Sequence, residues 1–241
     1  MDVKLHKQYQ TVFDSHWWFK VRARLLSDIL HKYSKKGSSV LDFGCNYGNT
    51  VRLLQSSGYN ASGVDVSREA IEYGREIGIT NIFLDGEKQF DKNSFDVAIA
   101  LDVFEHIEDD KKSFEYLSSL VKPGGIIVIM VPAYMFLWTF HDEVAQHFRR
   151  YTKKRLKEMI GDNNQFEYLK LSYFNTFLFP FITIVRIMTK VFNINSRKSD
   201  FDINNKTLNS IFFFIFDMER RFLKYTNFPF GVSVLAVIRK K

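Results

Sequence analysis

Apolar positions along the chain change period repeatedly, and each change marks an element. Between about residues 6 and 33, Leu25, Leu26, Ile29, Leu30 and Tyr33 recur at helical spacing and "KKGSS" stops the run, predicting an N-terminal helix. Short continuous apolar runs then alternate with helix-length amphipathic stretches. The pattern predicts strands at 40–43, 61–64, 81–84, 95–101 and 126–131, helices at 50–57, 68–77 and 111–120, and a turn at "VKPGG". Runs without polar alternation, such as "IIVIMV", are those of strands covered on both faces. The predicted fold is therefore α/β, a doubly wound and mostly parallel sheet.

Past Pro132 the rhythm loosens into the loop "AYMFLWTFHDEVAQHFRRY". Thr152 is a suitable N-cap for a helix ending near Gly161, and a strand follows at 168–173. Two apolar helices are expected at 175–192 and 207–226, with a last strand at 231–238. In the second, Leu208, Ile211, Ile215, Met218, Phe222 and Tyr225 form one stripe, the expected packing face. Pro180, Arg186 and Lys190 make the first a poor membrane-spanning helix.

Composition narrows the class. With 241 residues and 46% hydrophobic content, the chain suffices for one core and is short for two, so a single domain is expected over 1–241. Its parts would be a helical lid (1–36), a binding core (37–173), an apolar insertion (174–230) and the last strand (231–241). The single cysteine, Cys45, excludes an internal disulfide and a cysteine-rich metal site. That fits a reducing compartment, and "MDVKLHKQYQ" lacks the apolar centre of a secretory signal, so a cytoplasmic location is expected. The net charge of +7 is not gathered into one dense basic stripe, which argues against a nucleic-acid partner.

The candidate chemistry begins at "VLDFGCNYGNT", where the first strand runs into glycines at 44 and 48. A turn without side chains lets backbone N–H groups approach a ligand at a helix start. Asp42 precedes it, Asp65 closes the second strand, and Asp102, Glu105 and His106 crowd the end of the fourth strand. In doubly wound folds a carboxylate about 20 residues past the turn reaches ribose hydroxyls, and ligands occupy the crevice at the strands' carboxyl ends.

These residues resemble class I S-adenosylmethionine-dependent methyltransferases. "VLDFGCNYG" is similar to their first motif, "GVDVS" to their acidic ribose motif, and "FDVAIALDVFEHI" and "VKPGGIIVIMVP" to their fourth and fifth strands. "HWWFKVRARLL", "LWTFHDEVAQHFRRYT" and "YFNTFLFP" resemble a bacterial subgroup of that family, so the likeness spans nearly the whole chain. It implies a seven-stranded Rossmann-like sheet with an N-terminal helical lid and a helical insertion before the last strand. It also implies S-adenosyl-L-methionine as cofactor and S-adenosyl-L-homocysteine as product.

By that resemblance Asp42 and the backbone at Gly44, Cys45, Asn46 and Gly48 hold the methionine portion, Asp65 the ribose and Val66 the adenine face. Asp85 and Gly86 meet the adenine amino group, while Leu101 and Asp102 face the methionine end. Asn46 departs from the family's glycine, and asparagine tolerates left-handed backbone well enough to keep the turn. The Cys45 side chain is expected only to pack. A nicotinamide dehydrogenase would need G-x-G-x-x-G, which "GCNYGN" lacks.

An amine or hydroxyl acceptor must lose a proton, and the candidate bases are His106, His141 and His147. "DVFEH" also resembles the divalent-metal site of methyltransferases acting on small-RNA 3′ ends and ubiquinone precursors. An alternative set of Asp102, Glu105, His106 and His141 could thus hold a hard cation, although no metal is the leading expectation. For the acceptor, the candidates are Trp17 on the lid and Tyr134, Trp138, Arg149, Arg150 and Tyr151 after the fifth strand, with one of the two arginines expected to pair with a carboxylate instead. The leading expectation is methyl transfer to oxygen or nitrogen of a small, hydrophobic or lipid- or sugar-linked acceptor. An RNA 3′-terminal 2′-O-methyltransferase and a non-catalytic cofactor binder are the alternatives. The apolar insertion is expected to wall the acceptor pocket, with a homodimer or a membrane surface as other uses for its second face.

Overall fold

A strand with helices on both sides has no face to leave polar, and the central apolar runs become such strands. In the computed structural model, which describes residues 13, 15–161, 164–191 and 205–241, seven strands form one sheet. They are β1 (Ser39–Phe43), β2 (Asn60–Asp65), β3 (Ile82–Leu84), β4 (Phe95–Leu101), β5 (Val121–Pro132), β6 (Phe166–Phe174) and β7 (Ser233–Lys240). Their spatial order is 3-2-1-4-5-7-6, with β7 antiparallel to β5 and β6. From β1 the chain winds outward to β3, then crosses back so that β4 pairs with the other side of β1. That reversal opens a crevice at the carboxyl ends of β1 and β4, where this class of sheet binds ligands.

Side-chain alternation along the strands feeds two cores, one per face. Val40, Val97 and Val128 point to the side covered by α1 (Trp17–Tyr33), α2 (Asn49–Ser56) and α3 (Arg68–Glu76). Leu41, Ala98 and Ile127 point to the side covered by α4 (Asp110–Leu120) and α6 (Lys153–Ile160), the latter capped by Thr152.

Several boundaries differ from the sequence expectation, each for a local reason. The N-terminal helix was expected from residue 6; residues 6–12 and 14 lie outside the described set, and α1 starts at Trp17 with the His16 side chain accepting from the Trp18 N–H. "VKPGG" was expected as a turn but belongs to β5: Phe95 faces Val121 and Val97 faces Ile126, so the extra residues are absorbed as an irregularity in the ladder. The long loop holds a short helix, α5 (Phe140–Val144), closed by a reciprocal Thr139–Asp142 capping box. Helix α7 (Phe179–Val191) starts later than expected because Asn175, at φ 56°, and the next two residues are held in a turn; the Glu219 carboxylate accepts from the N–H groups of Thr176 and Phe177 at 2.7 and 2.8 Å. Residue 192 of the first expected insertion helix and most of the polar break after it lie outside the described residues.

Of the stripe expected to pack on helix α8 (Lys206–Leu223), only Ile215 packs against the core. Phe216, Glu219 and Leu223 are buried, whereas Leu208, Ile211, Met218, Phe222 and, beyond the helix, Tyr225 are exposed. The reason is α1, whose Trp18 ring stacks on Phe216 and Phe174 at centroid distances of 5.5 and 5.7 Å. Arg24 of α1 pairs with Asp217 at 3.1 Å, and Asp28 contacts Arg220. Aromatic stacking and ion pairs from α1 thus select the other face of α8. None of the described helices is long and apolar enough to cross a membrane.

Candidate functional site

At the carboxyl ends of β1, β2 and β4, under α1 and beside the loop after β5, lies a cavity of about 1100 Å³. Its floor is the glycine turn. Gly44 has φ +75°, and a Cβ there would come within 2.5 Å of a Val103 methyl. Asn46 has φ 51° and keeps the turn in the left-handed form, its N–H donating to Asp65 Oδ2 at 2.7 Å. Asp65 Oδ1 accepts from the Ser67 N–H at 2.9 Å, so one carboxylate joins the turns after β1 and β2.

The acidic groups are held under differing constraint. Asp42 is buried, and burial pushes its carboxyl up to about 7 against the pull of the Arg22 guanidinium, with Asp65 adding to the rise. Asp102 sits at φ 57° and pairs with Arg22 of α1. Glu105 is buried, and desolvation followed by the Asp102 charge raises its carboxyl well above the usual range. Its Oε2 has no hydrogen-bond partner among the described residues.

On the far wall the histidines gather. The His106 and His147 rings meet edge to face at 4.5 Å. Burial and the neighbouring His147 pull His106 down to about 3 against the opposing influence of the Ala145 backbone, so its imidazole is neutral. His147 Nδ1 lies 2.8 Å from Asp142 Oδ1. Burial alone would raise the Asp142 carboxyl, but His147 and Arg150 hold it well below the usual carboxylate range. Arg150 grips Asp142 through Nε at 2.7 Å and Nη2 at 2.9 Å. The Phe148 N–H donates to the Glu105 carbonyl at 2.7 Å, pinning this loop to the end of β4. Held by Asp142, His147 carries its proton on Nδ1 and keeps Nε2 as the basic nitrogen.

Of the residues expected at the cofactor, Asp42, Gly44, Cys45, Asn46, Asp65, Val66, Asp85, Leu101 and Asp102 line the cavity. Gly48 and Gly86 do not: Gly48 is the left-handed N-cap of α2, packed so that a Cβ would meet Ile82 at 2.8 Å. The three candidate bases all line the cavity, as do Trp17 and Arg150.

Four of the residues expected to touch the acceptor lie elsewhere. Tyr151 is fully buried, its hydroxyl donating to Asp110 Oδ2 at 2.8 Å. Arg149 pairs with Asp110 at 2.8 Å and donates to the Glu108 carbonyl. Tyr134 stacks between Phe136 and Tyr173, and Trp138 sits edge-on to His147 at 6.4 Å. Arg150 reaches the wall, but its fork is taken by Asp142, so both arginines are paired where one was expected to remain for the acceptor.

The alternative cation set is also revised. Glu105, His106 and His147 bring donor atoms within 4.8 Å of one another, whereas His141 is outside that group and Asp102 is engaged by Arg22. The three donors, with one carboxylate oxygen unpartnered among the described residues, a neutral His106 imidazole and a His147 imidazole anchored through Nδ1, fit a divalent cation. Arg22 had no assigned role. Its signal was the four-residue step from Trp18, which puts both on one face of α1 and both on the cavity wall.

A family model described as a methyltransferase domain matches residues 17–171. A ubiquinone biosynthesis O-methyltransferase of Paraburkholderia phymatum is 33% identical over 97 residues, 37% of this chain and 42% of that protein. The match thus spans less than half the length of that curated relative. Among solved structures, an S-adenosylmethionine-dependent methyltransferase from Mesorhizobium loti superposes with a TM-score of 0.56 at 15% identity, covering 91% of this chain and all of that one. Phosphoethanolamine N-methyltransferase 2 of Haemonchus contortus, solved with S-adenosyl-L-methionine, gives 0.57 at 19% identity, covering 98% of this chain and 56% of that one. These two structures share the fold.

Proposed function

The chain belongs to the methyltransferase domain family, and from that premise we propose that it transfers a methyl group from S-adenosylmethionine to an oxygen or nitrogen of a small, hydrophobic acceptor. One observation carries this reading: the glycine turn with its carboxylates and the Asp142-held His147 line a single cavity, whose remaining wall includes Phe181, Ile182, Val185 and Phe212 of the insertion. Val66 and Asp85 would hold the cofactor's adenosine, Asp65 its ribose, and Asp42 and Asp102 its cationic methionine end. The acceptor enters from the apolar side. Its nucleophile attacks the methyl carbon, the carbon–sulfur bond breaks to leave S-adenosylhomocysteine, and the acceptor's proton passes to His147 Nε2. Positioning by the cavity supplies much of the rate, as in any in-line displacement.

Calorimetry with S-adenosylmethionine and with S-adenosylhomocysteine tests the binding half. Tritium transfer from the labelled cofactor into fractionated extract, with RNase and lipid extraction as controls, tests the acceptor class. No heat with either compound from folded protein would overturn the proposal. A second reading rests on the unpartnered Glu105 oxygen: Glu105, His106 and His147 hold a divalent cation. Such a cation would lower the pKa of an acceptor hydroxyl. Undiminished turnover in EDTA would refute it.

A further inference from the structure

Helix α8 is apolar on both sides, yet the described residues cover only one of them. Phe216 and Leu223 pack inward on α1, while Phe214, Phe222 and Tyr225 are 69%, 54% and 90% exposed. The neighbouring α7 repeats the pattern, with Ile184, Ile187 and Met188 at 61%, 48% and 49%. A soluble helix needs one apolar face, and a second one of this extent marks a surface that something else covers. The charges beside it are positive in balance: Arg221 and Lys224 pair with Asp217 and Asp28, acids that Arg24 and Arg220 also meet, while Arg186 and Lys190 donate to the carbonyls of Leu137 and Phe136 and keep their charge. Helix α7 carries Arg186 and Lys190 and no acid; on α8 the two acids, Asp217 and Glu219, are buried, while Lys206, Arg221 and the following Lys224 are exposed.

The cavity opens against this same face. Phe181 and Val185 line it and are also 55% and 42% exposed, and the Phe181 ring meets Phe212 of α8 at 5.8 Å. We propose that the outer face of α7 and α8 docks on an anionic lipid bilayer, and that the cavity draws a lipid-embedded acceptor from it through the mouth at Phe181 and Val185. The acceptor half rests on the methyl-transfer reading; the docking half does not. Apolar side chains flanked by Lys and Arg suit the interface of an anionic leaflet. A second copy suits it less, because the copies would bring like charges together and press on the cavity mouth.

The test is sedimentation of the full chain with vesicles of phosphatidylcholine alone and of phosphatidylcholine mixed with phosphatidylglycerol. Partitioning should rise at least about tenfold with the anionic lipid and fall at high salt. The double variant I184E/F214E changes two exposed residues that do not line the cavity. It should lose vesicle binding and keep the S-adenosylmethionine affinity of the unaltered chain in lipid-free calorimetry. Equal partitioning into both vesicle types, or an unchanged double variant, would overturn docking. So would a dimer of the unaltered chain in lipid-free ultracentrifugation that the double variant dissociates, since a second copy would then be the occupant. Failure of the methyl-transfer reading shows separately, as absent cofactor heat in a chain that still binds vesicles.

Discussion

Replacing Asp42 with asparagine should stabilise the protein at alkaline pH and weaken its hold on the cofactor. The carboxyl is buried, and burial moves it from an ordinary 3.8 to about 7. A folded-state value above the unfolded one means that the native chain retains a proton the unfolded chain has released. The stability linked to that proton is full below pH 3.8 and is lost as pH rises through about 7. A shift of about three units is on the order of 4 kcal/mol. Urea unfolding of wild type and D42N at pH 5, 6, 7 and 8 isolates this group, because Glu219, also raised to about 7 by burial, is common to both proteins. The stability of D42N relative to wild type should climb by about 1.4 kcal/mol per pH unit and level off near pH 7. Cofactor affinity should do the opposite. The cationic methionine end favours the ionised carboxylate, so wild-type affinity rises with pH below 7 while that of D42N stays flat and weaker. A stability difference that does not vary across this window would refute the argument, and equal affinities at pH 8 would remove Asp42 from the site.

Other perturbations separate the parts of the site. Asp65→Ala frees the N–H groups of Asn46 and Ser67 and should cost roughly 10- to 100-fold in S-adenosylmethionine affinity by calorimetry. Gly44→Ala and Gly78→Ala both place a side chain at positive φ, but only the first meets a neighbour, at 2.5 Å against open space; urea denaturation should show about 1 kcal/mol for Gly78 and clearly more for Gly44. His147→Ala should lower kcat by roughly 10²- to 10⁴-fold with cofactor binding intact, which single-turnover kinetics with the identified acceptor would check. Asp142→Asn leaves the buried Arg150 facing a neutral partner, so a loss of about 3 kcal/mol or more in unfolding free energy should accompany any loss of rate.

Strands and glycine turn were legible because their determinants are local. Continuous apolar runs of strand length, the left-handed tolerance of Asn46 and the spacing from turn to Asp65 all lie within a few dozen residues. The two sides of the sheet follow from alternation alone. The acceptor side was less legible because its contacts are long-range. Nothing near Tyr151 announces that Asp110 receives its hydroxyl, and nothing near Arg22 announces Asp102, 80 positions away. Two arginines side by side read as an anion site until two buried or half-buried carboxylates claim them. The choice between His141 and His147 turned on a five-residue helix whose capping box fixes Asp142, and through it the ring of His147.

The α8 stripe marks a limit of periodicity itself. A repeat of three and four reports that an apolar face exists; it says nothing of whether a partner covers it. Here two such faces run along one helix, and the decision between them was made by Trp17 and Trp18, about 200 residues earlier in the chain, which fill the space over Phe212 and Phe216. Once those rings are placed, Phe222 on the stripe meets the Phe177 ring at 6.2 Å and remains exposed among the described residues. The aromatic start of α1, which lines the cavity through Trp17 and Trp18, therefore also leaves the outer face of α8 bare. Removing the grip of α1 should expose this link: Trp18→Ala would weaken the α1–α8 contact, lower stability by about 3 to 5 kcal/mol, and loosen the cavity wall at Phe212. If urea unfolding of that variant matched wild type, the packing account of both α1 and the bare stripe would fail together.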